Sequence, residues 1–125
     1  MKSDIVVLGG SAAGITAAIT ARRHHADKSI LLIRRETQVP IPCGIPYIFG
    51  TLGSPDKNLI PDAVLEKKDV ELLVAEVTSI DRDGCRLTTD GGEVEYGRLI
   101  LATGSLPVRP PIRGVDLDDV YPVLK

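Results

Sequence analysis

Apolar positions along this chain fall into short runs whose period changes more than once. Ile5, Val6, Val7 and Leu8 form a continuous aliphatic run that reads as a strand. It leads directly into a cluster of small residues, Gly9-Gly10-Ser11-Ala12-Ala13-Gly14. The spacing then turns helical: Ile15, Ala18, Ile19 and Arg22 recur at helical intervals with the apolar members on one face, which predicts a helix over residues 12–25. Alanines at positions 12, 13, 17, 18 and 21 suit close packing on a sheet. A second aliphatic run, residues 30–33, completes a strand, tight turn, helix and strand, the βαβ unit.

The pattern loosens after that. Residues 39–50, Val-Pro-Ile-Pro-Cys-Gly-Ile-Pro-Tyr-Ile-Phe-Gly, are rich in proline and glycine yet apolar, and predict a covered loop rather than an open one. Cys43 is expected near the start of a short helix, with Pro46 tolerated in its first turn. Residues 51–61 read as a polar loop. Residues 61–68 read as a short helix, with Asp62 in its first turn and lysines at its end. Residues 70–74 predict a third parallel strand. Residues 76–81, 85–89 and 93–96 then alternate, separated by Asp83-Gly84 and Asp90-Gly91-Gly92, which is the signature of a small antiparallel meander. Residues 99–102 predict a buried strand ending in Thr103-Gly104-Ser105. Three prolines keep residues 106–111 out of regular structure, and residues 114–125 run acidic, then apolar. The expected fold is α/β: a Rossmann-like domain over residues 1–113 with a parallel sheet, a βαβ start and a small meander, followed by a linker over 114–125.

Composition narrows the function classes. A chain of 125 residues suffices for one ordinary domain. Fifteen basic and seventeen acidic residues give a net charge of −2, so no nucleic-acid or anionic-membrane surface is expected. No aliphatic run is long enough to span a bilayer, and Met1-Lys2-Ser3-Asp4 carries no cleavage-site pattern. Two well-separated cysteines suggest a reducing compartment, the cytoplasm, and no disulfide framework. His24 and His25, adjacent at a helix end, read as surface residues rather than metal ligands.

Candidate chemistry begins at the turn after the first strand. Gly9 and Gly14 fill the first and third positions of G-x-G-x-x-G, and Ser11 holds the second. Such a turn lets backbone N–H groups and a helix N-terminus face a pyrophosphate. The alternative is a plain βα turn packed with small residues. About 20 residues past the glycines, where an acid usually meets a ribose hydroxyl, stand Arg34, Arg35 and Glu36. Glu36 could serve the ribose, Arg34 or Arg35 could meet a phosphate, or the three form a solvated charge cluster. At a helix start Cys43 would feel the positive end of the dipole and, beside a redox cofactor, could take part in electron transfer. Its alternative is a buried, inert thiol. Cys85, directly after a turn, reads as structural or exposed. Thr103 and Gly104 end a strand where ligands bind in open α/β sheets.

Three pieces in this order carry a resemblance: Val7-Leu8-Gly9-Gly10-Ser11-Ala12-Ala13-Gly14, Pro42-Cys43-Gly44-Ile45-Pro46-Tyr47 and Leu99-Ile100-Leu101-Ala102-Thr103-Gly104-Ser105-Leu106-Pro107. Together the chain resembles the FAD-dependent pyridine nucleotide–disulfide oxidoreductases, in their single-cysteine branch of coenzyme A–disulfide reductases, NADH oxidases and NADH peroxidases. The resemblance implies that Gly9, Gly10, Ser11 and Gly14 hold the FAD pyrophosphate, that Thr103 and Gly104 pass close to the FAD, and that Cys43 is the redox thiol; Ala12, Ala13, Arg34, Arg35 and Pro42 are the further expected cofactor-binding residues. Two-cysteine members carry a second cysteine five residues on, where this chain has Ile48, so the resemblance implies a mixed disulfide or a sulfenic acid on Cys43. The acid usual after the second strand is replaced by Ile33 or Arg34, the serine four residues before the cysteine is Val39, and the aspartate before the last strand is Gly97. Family members are several-fold longer and carry an NAD(P)H domain, a second FAD segment and a dimerisation domain. The implied function is the FAD-binding part of a flavin enzyme that uses NAD(P)H to reduce a disulfide such as coenzyme A disulfide, oxygen or peroxide. The isolated chain is expected to be inactive and to self-associate through faces those domains would cover. The alternative is a non-catalytic nucleotide-binding or interaction module.

Overall fold

The computed structural model describes residues 1–122. Its strands are β1 (Lys2–Leu8), β2 (Ile30–Arg34), β3 (Glu71–Val74), β4 (Val77–Asp81), β5 (Arg86–Thr89) and β6 (Gly92–Leu101). Its α-helical segments are α1 (Ala12–His24), α2 (Ile45–Tyr47) and α3 (Ala63–Glu66). The strands form one six-stranded sheet in the order β3-β2-β1-β6-β5-β4. Pairings among β3, β2, β1 and β6 are parallel, and those of β6 with β5 and β5 with β4 are antiparallel. This is the expected parallel sheet with a meander beside it.

The first aliphatic run lies at the centre because both its edges are paired: Val6 is opposite Leu31 on one side and Leu99 on the other. Strand alternation sends its neighbours to opposite faces. Val7 joins Ile15, Ala18, Ile30, Leu32, Leu65 and Val70 under α1 and α3. Val6 joins Leu31, Ile33, Ala75, Leu87 and Val94 on the other face. β2 is buried at every position. Arg22, at the end of α1, holds the neighbouring loops by donating to the carbonyls of Ala26, Lys28 and Asp69. His24 ends α1 and His25 follows it, both exposed.

Several expectations are corrected. Residues 93–96 and 99–102 do not form two strands. They are one strand, β6, because its pairing with β1 runs from Lys2 opposite Glu95 to Leu8 opposite Leu101. Gly97 lies in the middle, where a side chain would press on the Asp4 carbonyl at 2.7 Å. The end of β6 is not fully buried: Leu99 and Ile100 are half-buried and Leu101 is 61% exposed. Leu99 and Leu101 stand opposite Val6 and Leu8, on the face away from α1, and only Ile100 lies on the α1 face. The helix expected over 61–68 shortens to Ala63–Glu66. The proline-rich segment is not covered among the described residues: Tyr47 is 61% and Phe49 89% exposed. Of the expected linker over 114–125, residues 114–122 contain only turns and irregular backbone, and residues 123–125 lie outside the described residues.

Candidate active site

The turn after β1 is shaped by the absence of side chains. Gly9 adopts φ +121°, a region closed to most L-residues. A Cβ there would collide with the Ala102 carbonyl at the end of β6. A Cβ on Gly14 would collide with the Gly9 carbonyl. β1, the first turn of α1 and the exit of β6 therefore meet backbone to backbone. Ser11 occupies the N-cap position of α1, and its carbonyl accepts the Ile15 N–H at 3.0 Å. No side chain caps this helix, and its first turn holds no acid, so its N-terminal amides and positive dipole end are left for a ligand. Ala12 and Ala13 are exposed there.

Beside this turn a cleft of about 400 Å³ lies across the carboxyl ends of the parallel strands. Leu8 and Gly9, residues 33–36, residues 75–77 and residues 103–106 line it. The sequence-predicted Gly9, Arg34, Arg35, Thr103 and Gly104 thus converge on one cleft. Ser105 extends the strand end read from the sequence, whereas Ala75, Glu76, Val77 and Leu106 were not anticipated, although the end of the third parallel strand was a signal for the first three.

The charged trio at the end of β2 is not a solvated cluster. Arg34 is only 2% exposed. Its Nη1 and Nη2 donate to the two Asp62 carboxylate oxygens at 2.7 and 2.9 Å. Its Nε donates to the Glu36 carbonyl and Nη2 to the Thr37 carbonyl, each at 2.8 Å. A bidentate, four-bonded guanidinium is a satisfied buried charge, and its stem packs under Gly10. Arg34 lines the cleft while its charge is directed to Asp62. Arg35 is exposed and pairs with the Glu36 carboxylate at 3.4 Å.

Cys43 stands apart from the cleft, exposed, in a 3₁₀ turn over Pro42–Gly44 that runs on into α2. Pro42 is exposed beside it. The segment leaves and rejoins the sheet as a narrow antiparallel pair: Ile41 N–H donates to the Asn58 carbonyl at 2.8 Å and Ile60 N–H to the Val39 carbonyl at 2.9 Å. Cys85, with φ +50°, is exposed in the turn between β4 and β5.

Comparison with known proteins bears on this geometry. Residues 3–123 match the family described as Pyridine nucleotide-disulphide oxidoreductase. The chain belongs to that family. The family's description ties it to pyridine nucleotides and disulfides. An NAD(P)H coenzyme A polysulfide/persulfide reductase of Pyrococcus horikoshii is 35% identical over 127 residues, a match spanning 97% of this chain and 28% of that protein. An NADH oxidase of Methanocaldococcus jannaschii is 36% identical over 129 residues, spanning 94% of this chain and 29% of that protein. The solved NAD-dependent persulfide reductase from A. fulgidus superposes with a TM-score of 0.76 at 33% identity, covering 93% of this chain and 24% of that one. The chain spans less than a third of the length of these two relatives.

The residues of this family member fit a dinucleotide pyrophosphate. A Cβ would fill the space at Gly9 and Gly14, the α1 N-terminus is uncapped, and the cleft continues from there along the strand ends. Among the described residues no helix is long and apolar enough to cross a membrane.

Proposed function

We propose that this chain is the FAD-binding part of an NAD(P)H-dependent oxidoreductase that reduces a small disulfide or persulfide, with Cys43 as the reacting thiol. The observation that carries the reading is the backbone-to-backbone convergence of Gly9, Gly14 and Ala102 beside an uncapped helix N-terminus. There the amides at the start of α1, with Ser11, Ala12 and Ala13, would hold the pyrophosphate, and Thr103 and Gly104 would line the cofactor's site. Bound FAD would supply two-electron transfer between a nicotinamide and the thiol adduct.

This chain's own chemistry begins at Cys43. Its exposed Sγ, as thiolate, attacks one sulfur of a disulfide. A mixed disulfide forms, the original S–S bond breaks, and the second sulfur leaves as thiolate. Two electrons, from NAD(P)H in the complete enzyme, and two protons would then cleave the mixed disulfide, returning the Cys43 thiol and releasing the second small thiol. Ile48 stands where a second cysteine would close an internal disulfide, which supports a small external thiol, such as coenzyme A, as partner. Oxygen and peroxide are the other acceptors this chemistry admits, the latter through a sulfenic acid. Two exposed, unpaired thiols suit the reducing cytoplasm.

An absorbance spectrum of the purified chain with added FAD tests the reading. A bound-flavin spectrum that changes when Cys43 is alkylated is the expected result. A folded chain that stays colourless and ignores FAD would sink it. That result would favour the second reading, a non-catalytic interaction module, for which the buried Arg34 in place of a ribose-binding acid speaks.

A further inference from the structure

Asn58 is a buried polar residue that takes no part in the cleft. At 2% exposure, an amide persists only where its hydrogen bonds are made. Those bonds converge on the turn that carries Cys43. Asn58 Nδ2 donates to the Ile41 carbonyl at 3.0 Å. That same carbonyl accepts the Gly44 N–H at 2.9 Å, closing the Pro42–Gly44 turn with Cys43 at its centre. The Ile41 N–H donates in turn to the Asn58 main-chain carbonyl. On the other side of Cys43, a Cβ at position 44 would collide with Asn58 Oδ1, so the carboxamide is wedged against Gly44. One side chain therefore grips the residues on both sides of an exposed thiol whose own turn is otherwise short.

We propose that Asn58 is a positioning residue: its carboxamide fixes the Pro42–Gly44 turn and sets the direction in which the Cys43 thiol meets a disulfide. The proposal rests on the reading of Cys43 as the reacting thiol. Exchange proceeds only when the attacking sulfur approaches along the axis of the bond it breaks, so an exposed thiol gains from a fixed turn beneath it.

The test is a double-mutant cycle on the full chain, reduced and carrying Cys85→Ser, with dithiobis-nitrobenzoate as probe. Each event bonds Cys43 Sγ to one probe sulfur and releases the other as a coloured thiolate, with the cysteine proton passing to solvent. Asn58→Ala and Gly44→Ala are each expected to change the Cys43 rate constant by roughly three- to tenfold. The double variant is expected to match Asn58→Ala alone, because the group that an alanine at 44 strikes is gone. A purely structural role would lower the melting temperature of each variant and leave the Cys43 rate constant of the folded chain unchanged. Independent, multiplying effects, or an unchanged rate in Asn58→Ala, would overturn the proposal. If Asn58→Ala does not fold, Asn58→Asp keeps the shape, loses the Nδ2 donor and carries the same expectation for the rate. These rates need no flavin. The FAD-loaded chain tests the underlying reading separately: a flavin spectrum indifferent to Cys43 alkylation removes the redox role whatever the cycle gives.

Discussion

A methyl group on Gly9 would meet the Ala102 carbonyl head on, at a backbone angle that alanine rarely adopts. Gly9→Ala should therefore cost about 2–3 kcal/mol of stability through strain alone. It should also weaken FAD binding, and denaturant melts with flavin titrations would read the two effects separately. The conflict is local, so Gly104→Ala, with open space around it and a φ of +78°, should be the milder change. A second residue-scale effect depends on pH. The Asp4 carboxylate accepts the Ser29 N–H and hydroxyl, both at 2.9 Å. These bonds, the backbone one first, hold its pKa below the ordinary 3.8. A lowered acid stabilises the fold fully above its unfolded value, and that contribution fades as pH falls through the lower folded value. Asp4→Ala should thus lower stability at neutral pH, and the gap to the parent chain should close in acid below that range.

At the scale of elements, the end of β2 and the start of α3 are joined by a single ion pair. Asp62→Ala would leave the Arg34 charge buried without its carboxylate, at a cost of about 2–3 kcal/mol once the half-exposed Asp62 is allowed for. Thermal melts would show it, and loss of the pair should loosen residues 36–37, which Arg34 also holds. The strands, α1 and the glycine turn were legible because aliphatic runs and alternation report burial directly. The role of Arg34 was not, because an arginine after a strand looks alike whether it meets a phosphate or a carboxylate far along the chain. Asp62 read as a first-turn acid for the same reason: its sequence neighbours do not reveal that it faces β2. The fusion of two expected strands into β6 was hidden by Gly97, which reads as a break in sequence and is a close approach of two backbones in space. Asn58 carried no signal at all, since a buried asparagine in a polar loop is distinguished only by the turn it holds.

For the molecule as a whole, the most exposed apolar side chains lie in segments that leave the sheet: Phe49 in the cysteine lobe and Leu106 and Val108 after β6. Exposed apolar surface of this kind drives association. Light scattering on the isolated chain should show a mass that rises with concentration, and a clean monomer throughout would contradict it. The pairing of β1 with β6 has a further consequence, one of timing. Gly9 is synthesised long before the Ala102 carbonyl that it abuts. Until β6 arrives, the glycine turn has one wall and no cleft. Contacts so distant along the chain are the slow ones to form. A nascent chain therefore cannot present the finished turn to a dinucleotide until β6 has been made and paired with β1, so binding there would follow that pairing rather than seed it.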